Sequence, residues 1–396
     1  MAVIDSSAGA PPKTAFYNDP VIRGYIYQLL VALAVIGFFV WIGINAAQNL
    51  AAQNKSTGFD FLWRTSGFSI SFTLIPFDRT SYYWEAFVVG LLNTLLVAAI
   101  GIFFATILGF TIGIARLSSN WLVSRIATVY VEIIRNVPLL LQLFFWYFAV
   151  LKAMPAVRDS LALPFGSYLN QRGFFVPQPL FDERAGWLWL GLALAIAFGI
   201  GLRIWARRRL EATGQRFPVL VTVLAGGVLI LALTYILSGT RIEFSYPELQ
   251  RFNFRGGLEL PPEFVALAFG LSIYTAAFIA ENVRSGIKAV NKGQTEAAQS
   301  LGLREGDRLR LVIIPQAMRV IVPPLTSQYL NLTKNSSLGA AIGYPELVNV
   351  FTGTTLNQTG KAIEVIAMTM LVYLTFSLLT SAFMNWYNGR VALVER

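Results

Sequence analysis

The chain has no cysteine and no histidine among its 396 residues, and only 13% of them are charged. Without cysteine there is no disulfide framework and no thiol nucleophile. Without histidine the usual side chain for proton transfer near pH 7 is missing. With both absent, the common zinc and copper ligands are gone too. No Gly-x-x-x-x-Gly-Lys-Ser/Thr run occurs, so the chain carries no phosphate loop of its own. The stretch from Gly353 to Gly360-Lys361-Ala362 comes closest, but its spacing is wrong. No Gly-x-Ser-x-Gly elbow is present either. Nothing remains on which to build a nucleophile–base site, and the expectation is a protein that is not an enzyme.

What is present is hydrocarbon. Hydrophobic residues make up 55% of the chain and the mean hydropathy is +0.59. That balance suits a multi-span membrane protein, not a soluble domain. The net charge of +10 could suggest nucleic acid. The basic residues, however, sit beside apolar runs, where the positive-inside rule places them, so no nucleic-acid partner is expected.

Eight apolar runs are long enough to cross about 30 Å of hydrocarbon. They are Tyr25 to Ala46, Ala86 to Ala115, Val131 to Leu151, Trp187 to Trp205, Pro218 to Leu237, Glu263 to Val290, Val320 to Leu338 and Ala362 to Trp386. Met1 to Pro20, rich in Ala, Ser and Pro, reads as a loose tail. Met154 to Gly186, with Pro155, Pro164, Pro177 and Pro179, reads as a loop, as does the charge-balanced stretch Gly239 to Pro262. The densest basic run is Arg203, Arg207, Arg208, Arg209 and Arg216. If each arginine-rich loop is cytoplasmic, all segments alternate and both termini lie inside. The expected class is all-α: a polytopic membrane protein with about eight transmembrane helices.

Within the spans, polar residues are few enough to weigh singly. Gly109 and Gly113 are four apart and permit close helix contact, although 32 glycines make chance an equal account. Asn93 either faces a lumen or bonds another helix. Glu132 and Arg135, and likewise Glu281 and Arg284, are three apart and share helix faces, so each couple reads as a structural ion pair. Gln328, Asn331, Lys334 and Asn335 recur at helical spacing in one span, with Ser336 beside them. A lysine inside a span costs about 2.5–3.5 kcal/mol on insertion scales. Lys334 therefore either faces a polar cavity, where it could hold a carboxylate while the amides order an amino group, or snorkels to the headgroups.

The polar island from Asn291 to Gln316 cannot cross a bilayer, since it holds Lys292, Glu296, Arg304, Glu305, Asp307, Arg308 and Arg310. Gln294 to Leu301 reads as a short helix with Thr295 as its cap, Gly302 as the left-handed stop, and Arg304 to Leu311 as a second helix closed by Pro315. Ala297, Ala298 and Leu301 would form a low face suited to a groove on another protein. The plainer account is a surface loop with two helical turns.

The island resembles the cytoplasmic EAA motif of ABC importer permeases. The matching residues are Glu296-Ala297-Ala298, then Gly302, then Val312-Ile313-Ile314-Pro315. The runs GLLNTLL from Gly90, VYVEIIRNVPLLLQLF, IAENVRSGI, and Val322 to Leu338 ending in KNSSL are similar to the polar amino-acid branch, the histidine/glutamine type. Together they cover about 90–147 and 256–385. The chain adds an N-terminal helix and a two-helix insertion to the five-helix type I core, as in the larger permease of general L-amino-acid importers.

The resemblance implies a division into 1–85 (tail, extra helix and outer loop), 86–153 (first core part), 154–255 (insertion) and 256–396 (second core part, with the coupling loop 291–316). It implies that Glu296, Ala297, Ala298, Leu301 and Gly302 engage ATP-binding subunits, and that Gln328, Asn331, Lys334, Asn335 and Ser336 lie along the substrate path. It further implies ATP and Mg in those partners and no cofactor here. The other partners would be a second related permease, a periplasmic amino-acid-binding protein, an amino-acid substrate and lipid, all at the bacterial inner membrane. The rival from another class is an ion- or proton-coupled carrier acting alone. It calls for an inverted repeat and intramembrane acids; no such repeat is evident and acids within the spans are few.

Overall fold

The computed structural model describes residues 20–52, 58–215 and 217–391. The tail expected before Pro20 lies outside them, as does Arg216 of the basic run. Among the described residues seven helices are long and apolar enough to cross a bilayer, and a bent pair makes an eighth. In order, α1 is Pro20–Ala52, α2 Tyr83–Ala115, α3 Trp121–Asn136, α4 Leu139–Leu151, α5 Gly186–Thr213, α6 Val219–Ser238 and α7 Pro262–Lys288. Then come α8 Lys292–Ser300, α9 Glu305–Arg308, α10 Ile314–Asn335, α11 Leu356–Thr359 and α12 Ala362–Val391.

The span expected over Val131 to Leu151 is not one rod. It begins at Trp121, breaks at Val137-Pro138 and turns through 105° into α4. Pro138 carries no N–H and pushes Val137 out of the helical region, so the break falls where the sequence places it. The earlier start was missed because Trp121 to Tyr130 includes Ser124, Arg125 and Thr128, too polar to read as a span.

The centre is α2 against α7, with α3, α4 and α10 around them. Lipid tails are as apolar as leucine, so helices in a bilayer associate by close packing rather than by escape from water. The glycines on α2 supply that closeness. A Cβ on Gly109 would lie 2.5 Å from the Cβ of Ile279, and one on Gly113 would lie 2.7 Å from the Cβ of Val283. The glycine pair is therefore a helix contact and not a chance spacing. Val97, Leu143, Leu267, Leu271, Ile279 and Leu332 fill the core around it. Asn93 reaches no other helix: its amide donates to the carbonyls of Phe72 and Pro345, at 2.9 and 2.8 Å, tying two outer loops to α2.

The two segments read as loops around the insertion are partly strands. β1 (Leu161–Leu163), β2 (Ser167–Asn170) and β3 (Gly173–Val176) form an antiparallel sheet with β8 (Leu258–Leu260). β4 (Gln178–Phe181) pairs β5 (Ile242–Ser245), and β6 (Glu248–Gln250) pairs β7 (Asn253–Arg255). Both β3–β8 and β4–β5 join chain before α5 to chain after α6, so these two pairings close the mouth of the α5–α6 hairpin. Val157, Phe175 and Phe254 form its small core. Strands of three or four residues show too little alternation to be read from sequence.

Another outer segment, residues 58–82, is pinned to the start of α12. Lys361 Nζ lies 3.3 Å from Asp60, the Gly58 amide donates to Glu364, and Phe61 is buried among Tyr83, Leu347, Phe351 and Val365.

Candidate functional site

Three features stand apart from the packing: an elbow at one end of the bundle, a knot of charge near that end, and an open cleft beside Lys334.

The elbow is α8 and α9. Asn291, not Thr295, caps α8, accepting from the Gly293 amide at 2.8 Å. The helix ends as expected at Gly302, φ 72°. The amides of Gly302 and Leu303 return to the carbonyls of Gln299 and Ala298, which satisfies the orphaned carbonyls of the last turn. Pro315 does not close the segment. It lies in the first turn of α10, directly after a wide π turn over Leu309–Ile313 that makes the segment from 305 to 342 one span. The wide turn takes up the missing N–H and the ring's clash with the fourth carbonyl back.

The expected three-residue face is split. Ala298 is buried where α8 packs on the π turn, whereas Glu296 and Ala297 are exposed and Leu301 is 80% exposed. Gln316 donates to Gln294 at 3.2 Å and braces the elbow against α10.

In the charge knot, Glu281 of α7 accepts from Arg284 at 2.5 Å, as its spacing predicts. Arg116, at the end of α2, also donates to Glu281, and Arg135 of α3 lies 3.8 Å away. The expected Glu132–Arg135 pair does not form. Arg135 turns across to α7, where its guanidinium stacks 5.2 Å from the Phe278 ring centre, and Glu132 stays exposed. One carboxylate thus ties three helices. Arg116 was visible only as a flanking charge, and its role depends on the α2–α7 crossing.

The cleft, about 440 Å³, lies between the end of α10 and α12. Lys334, Ser337, Thr369, Tyr373 and Ser377 line it. Tyr373 is eleven residues into α12, about 16 Å along the axis. Lys334 reaches the cleft from the last turn of α10. Gln328, Asn331 and Asn335 do not line the cleft, and Asn331 is exposed on another side of α10. Ser336 is fully buried, its hydroxyl donating to the Thr333 carbonyl at 2.6 Å; its neighbour Ser337 faces the opening instead. Beyond residue 335 the chain tightens into a 3₁₀ turn, which shifts the helical phase on which the choice of Ser336 rested.

Behind the cleft is Glu346, fully buried and absent from the sequence-based candidates. Its carboxylate accepts the amides of Val348 and Asn349, both at 2.7 Å, and the hydroxyl of Tyr373 at 3.4 Å. Burial pushes its carboxyl up to about 7, against the pull of those donors. The signal available in the sequence was a single acid in an apolar run after Tyr344-Pro345.

A helical bundle with up to eight spans, an open cleft beside Lys334 and a charged elbow at one end has the architecture of a membrane transport component. A family model described as a binding-protein-dependent transport system inner membrane component matches residues 208–393. The general L-amino acid transport system permease protein AapQ of Rhizobium johnstonii is 51% identical over 386 residues, covering 97% of this chain and 96% of that protein. The putative amino-acid ABC transporter permease YhdX of Escherichia coli is 49% identical over 96% of this chain and 97% of its own length. BztB, a glutamate/glutamine/aspartate/asparagine transport system permease of Rhodobacter capsulatus, is 41% identical over 98% and 99%. The chain belongs to this family: it is a multi-pass permease subunit of an ABC importer.

Proposed function

We propose that this subunit carries L-amino acids across the bacterial inner membrane, with its termini in the cytoplasm. A periplasmic binding protein delivers the substrate, and a second, related permease completes the pathway. ATP and Mg are held by separate ATP-binding subunits, which press on the elbow at Glu296, Ala297 and Leu301. Their closure rocks the bundle and alternates access to the cleft. The reading is supported by the names of relatives that match nearly the whole chain. The structural observation that carries it is Lys334, an exposed ammonium without an acidic or carbonyl partner among the described residues, placed on the last turn of α10 and facing a cleft to which Ser337, Thr369, Tyr373 and Ser377 bring hydroxyls. Such a charge fits a carboxylate, and the hydroxyls can accept from an α-amino group.

The test is uptake into proteoliposomes carrying the reconstituted complex. Internal ATP should drive accumulation of amino acids, and an ion gradient alone should not. Accumulation driven by the gradient without ATP would reverse the reading in favour of a secondary carrier.

A further inference from the structure

The inserted hairpin α5–α6 meets the rest of the protein through the outer strands, and its flanks are largely bare. On one flank the helices interlock: Gly191 leaves no room beside Thr234, nor Gly226 beside Phe198. On another they part to leave a groove of about 680 Å³. Its walls are Ile196, Gly199, Ile200, Val223, Leu224 and Leu231, all apolar, and the charged side chain at its rim is Arg203. From Val219 to Leu231 is twelve residues, or about 18 Å along α6. That is close to the depth of one leaflet, half of the ~30 Å hydrocarbon core.

The arginines near this rim differ in what they already hold. Arg207 donates to Glu211 at 3.0 Å, and Arg209 stacks on Trp205 and Phe217. Arg203 and Arg208 have no acidic or aromatic partner among the described residues, and both are exposed. An unpaired guanidinium at the arginine-rich end of an apolar slot one leaflet deep has the shape and charge of a phospholipid seat. The slot takes an acyl chain, and the guanidinium takes the phosphate and an anionic headgroup.

We propose that the α5–α6 groove binds an anionic phospholipid of the inner leaflet, with Arg203 on its headgroup. The lipid would hold open a hairpin that has few contacts of its own with the core.

Native mass spectrometry of the purified transporter complex, incubated with phosphatidylglycerol, with phosphatidylcholine or with inorganic phosphate alone, reads this directly. Wild-type complex should retain phosphatidylglycerol about fivefold better than phosphatidylcholine, the worth of one basic side chain near an anionic surface. Arg203→Gln should erase that preference. Ala195→Phe, which fills the slot and leaves the arginine in place, should lower retention of phosphatidylglycerol itself. Equal retention of the two lipids by the wild type, or an undiminished preference in Arg203→Gln, overturns the proposal. So does full displacement of the lipid by inorganic phosphate, which marks a plain anion site, or no retained lipid at all, which marks a groove filled by another subunit. The comparison of lipids on the wild type stands even if a variant fails to assemble.

Discussion

Arg116, the C-cap of α2, and Glu281, on α7, bond across a close helix crossing, one turn beyond the point where Gly113 meets Val283. The crossing and the ion pair depend on each other. The glycines let the backbones close, and closure brings a guanidinium that is nine-tenths buried onto its carboxylate. Removing that carboxylate leaves Arg116 charged and buried, with Arg135 and Arg284 nearby. Breaking a buried pair from one side costs about 3 kcal/mol. Glu281→Gln should therefore lower the Tm of the purified complex by several degrees, whereas Glu132→Gln, on an exposed and unpaired residue, should stay within about 0.5 kcal/mol of wild type. Equal Tm values for the two variants would show that the knot does not hold the helices.

The glycines make a separate prediction. Gly113→Leu adds bulk where even a Cβ lies 2.8 Å from the Ala280 carbonyl, and backbone cannot step aside as a side-chain tip can. Overpacking of this kind costs about 1–3 kcal/mol, and more when the obstacle is main chain. Membrane yield of the complex should fall sharply. Gly201→Leu on α5, where nothing lies within 4 Å of a Cβ, should leave it unchanged.

How much of this was legible follows a physical division. Spans and the left-handed Gly302 are local, written in runs of apolar residues and in single breakers such as Pro138. The elbow's outline was therefore visible, yet its faces were not. Which of Ala297, Ala298 and Leu301 turns inward depends on the π turn at Leu309–Ile313, and no propensity marks such a turn. The cleft was half visible. Lys334 betrays itself by its cost in a span, but Thr369, Tyr373 and Ser377 come from a later helix, α12, and look like ordinary polar punctuation. Arg116 and Glu346 act only through partners distant in sequence, on helices that had first to be packed. The short outer strands were invisible for want of length.

Lys334→Met removes the charge proposed to hold a substrate carboxylate and keeps most of the side-chain volume. A hydrogen bond to a charged group is worth about 1.5–3 kcal/mol, so the half-saturation concentration for uptake should rise roughly ten- to a hundredfold. Lys334→Arg should recover part of the loss. Assembly with the ATP-binding subunits should be normal in both, because the side chain touches nothing that holds the fold. Unchanged uptake kinetics in Lys334→Met would remove it from the substrate path.

Glu346 predicts a dependence on pH. Its carboxyl titrates near 7 in the folded protein against an ordinary value of 4.5, so the folded state binds the proton more tightly. The stability this contributes is fully present below the ordinary value and is lost as pH rises through about 7. The Tm of the complex should fall between about pH 5 and pH 8, and Glu346→Gln should flatten that slope. Tyr344, a titratable group beside it, is pushed upward by burial and stays neutral throughout. A variant that keeps the full slope would assign the dependence to some other group.

Leu301 and Ala298 separate folding from coupling at the elbow. Leu301→Glu places a charge on a side chain already 80% in solvent, so the subunit's own stability should stay within about 0.5 kcal/mol. If an ATP-binding subunit receives this leucine in a cleft, the same change buries an unpaired carboxylate at the contact. Truncating or charging such an anchor costs 2 kcal/mol or more, about thirtyfold in affinity. Co-purification of the ATP-binding subunit should drop accordingly, and ATP-driven uptake with it. Ala298→Glu should act differently: with no room between α8 and the π turn, the elbow itself should loosen, seen as faster proteolysis between Lys288 and Arg310 before any partner is added. Should Leu301→Glu leave both the complex and its uptake intact, the elbow is not where the ATP-binding subunit takes hold, and the drive must enter the bundle elsewhere.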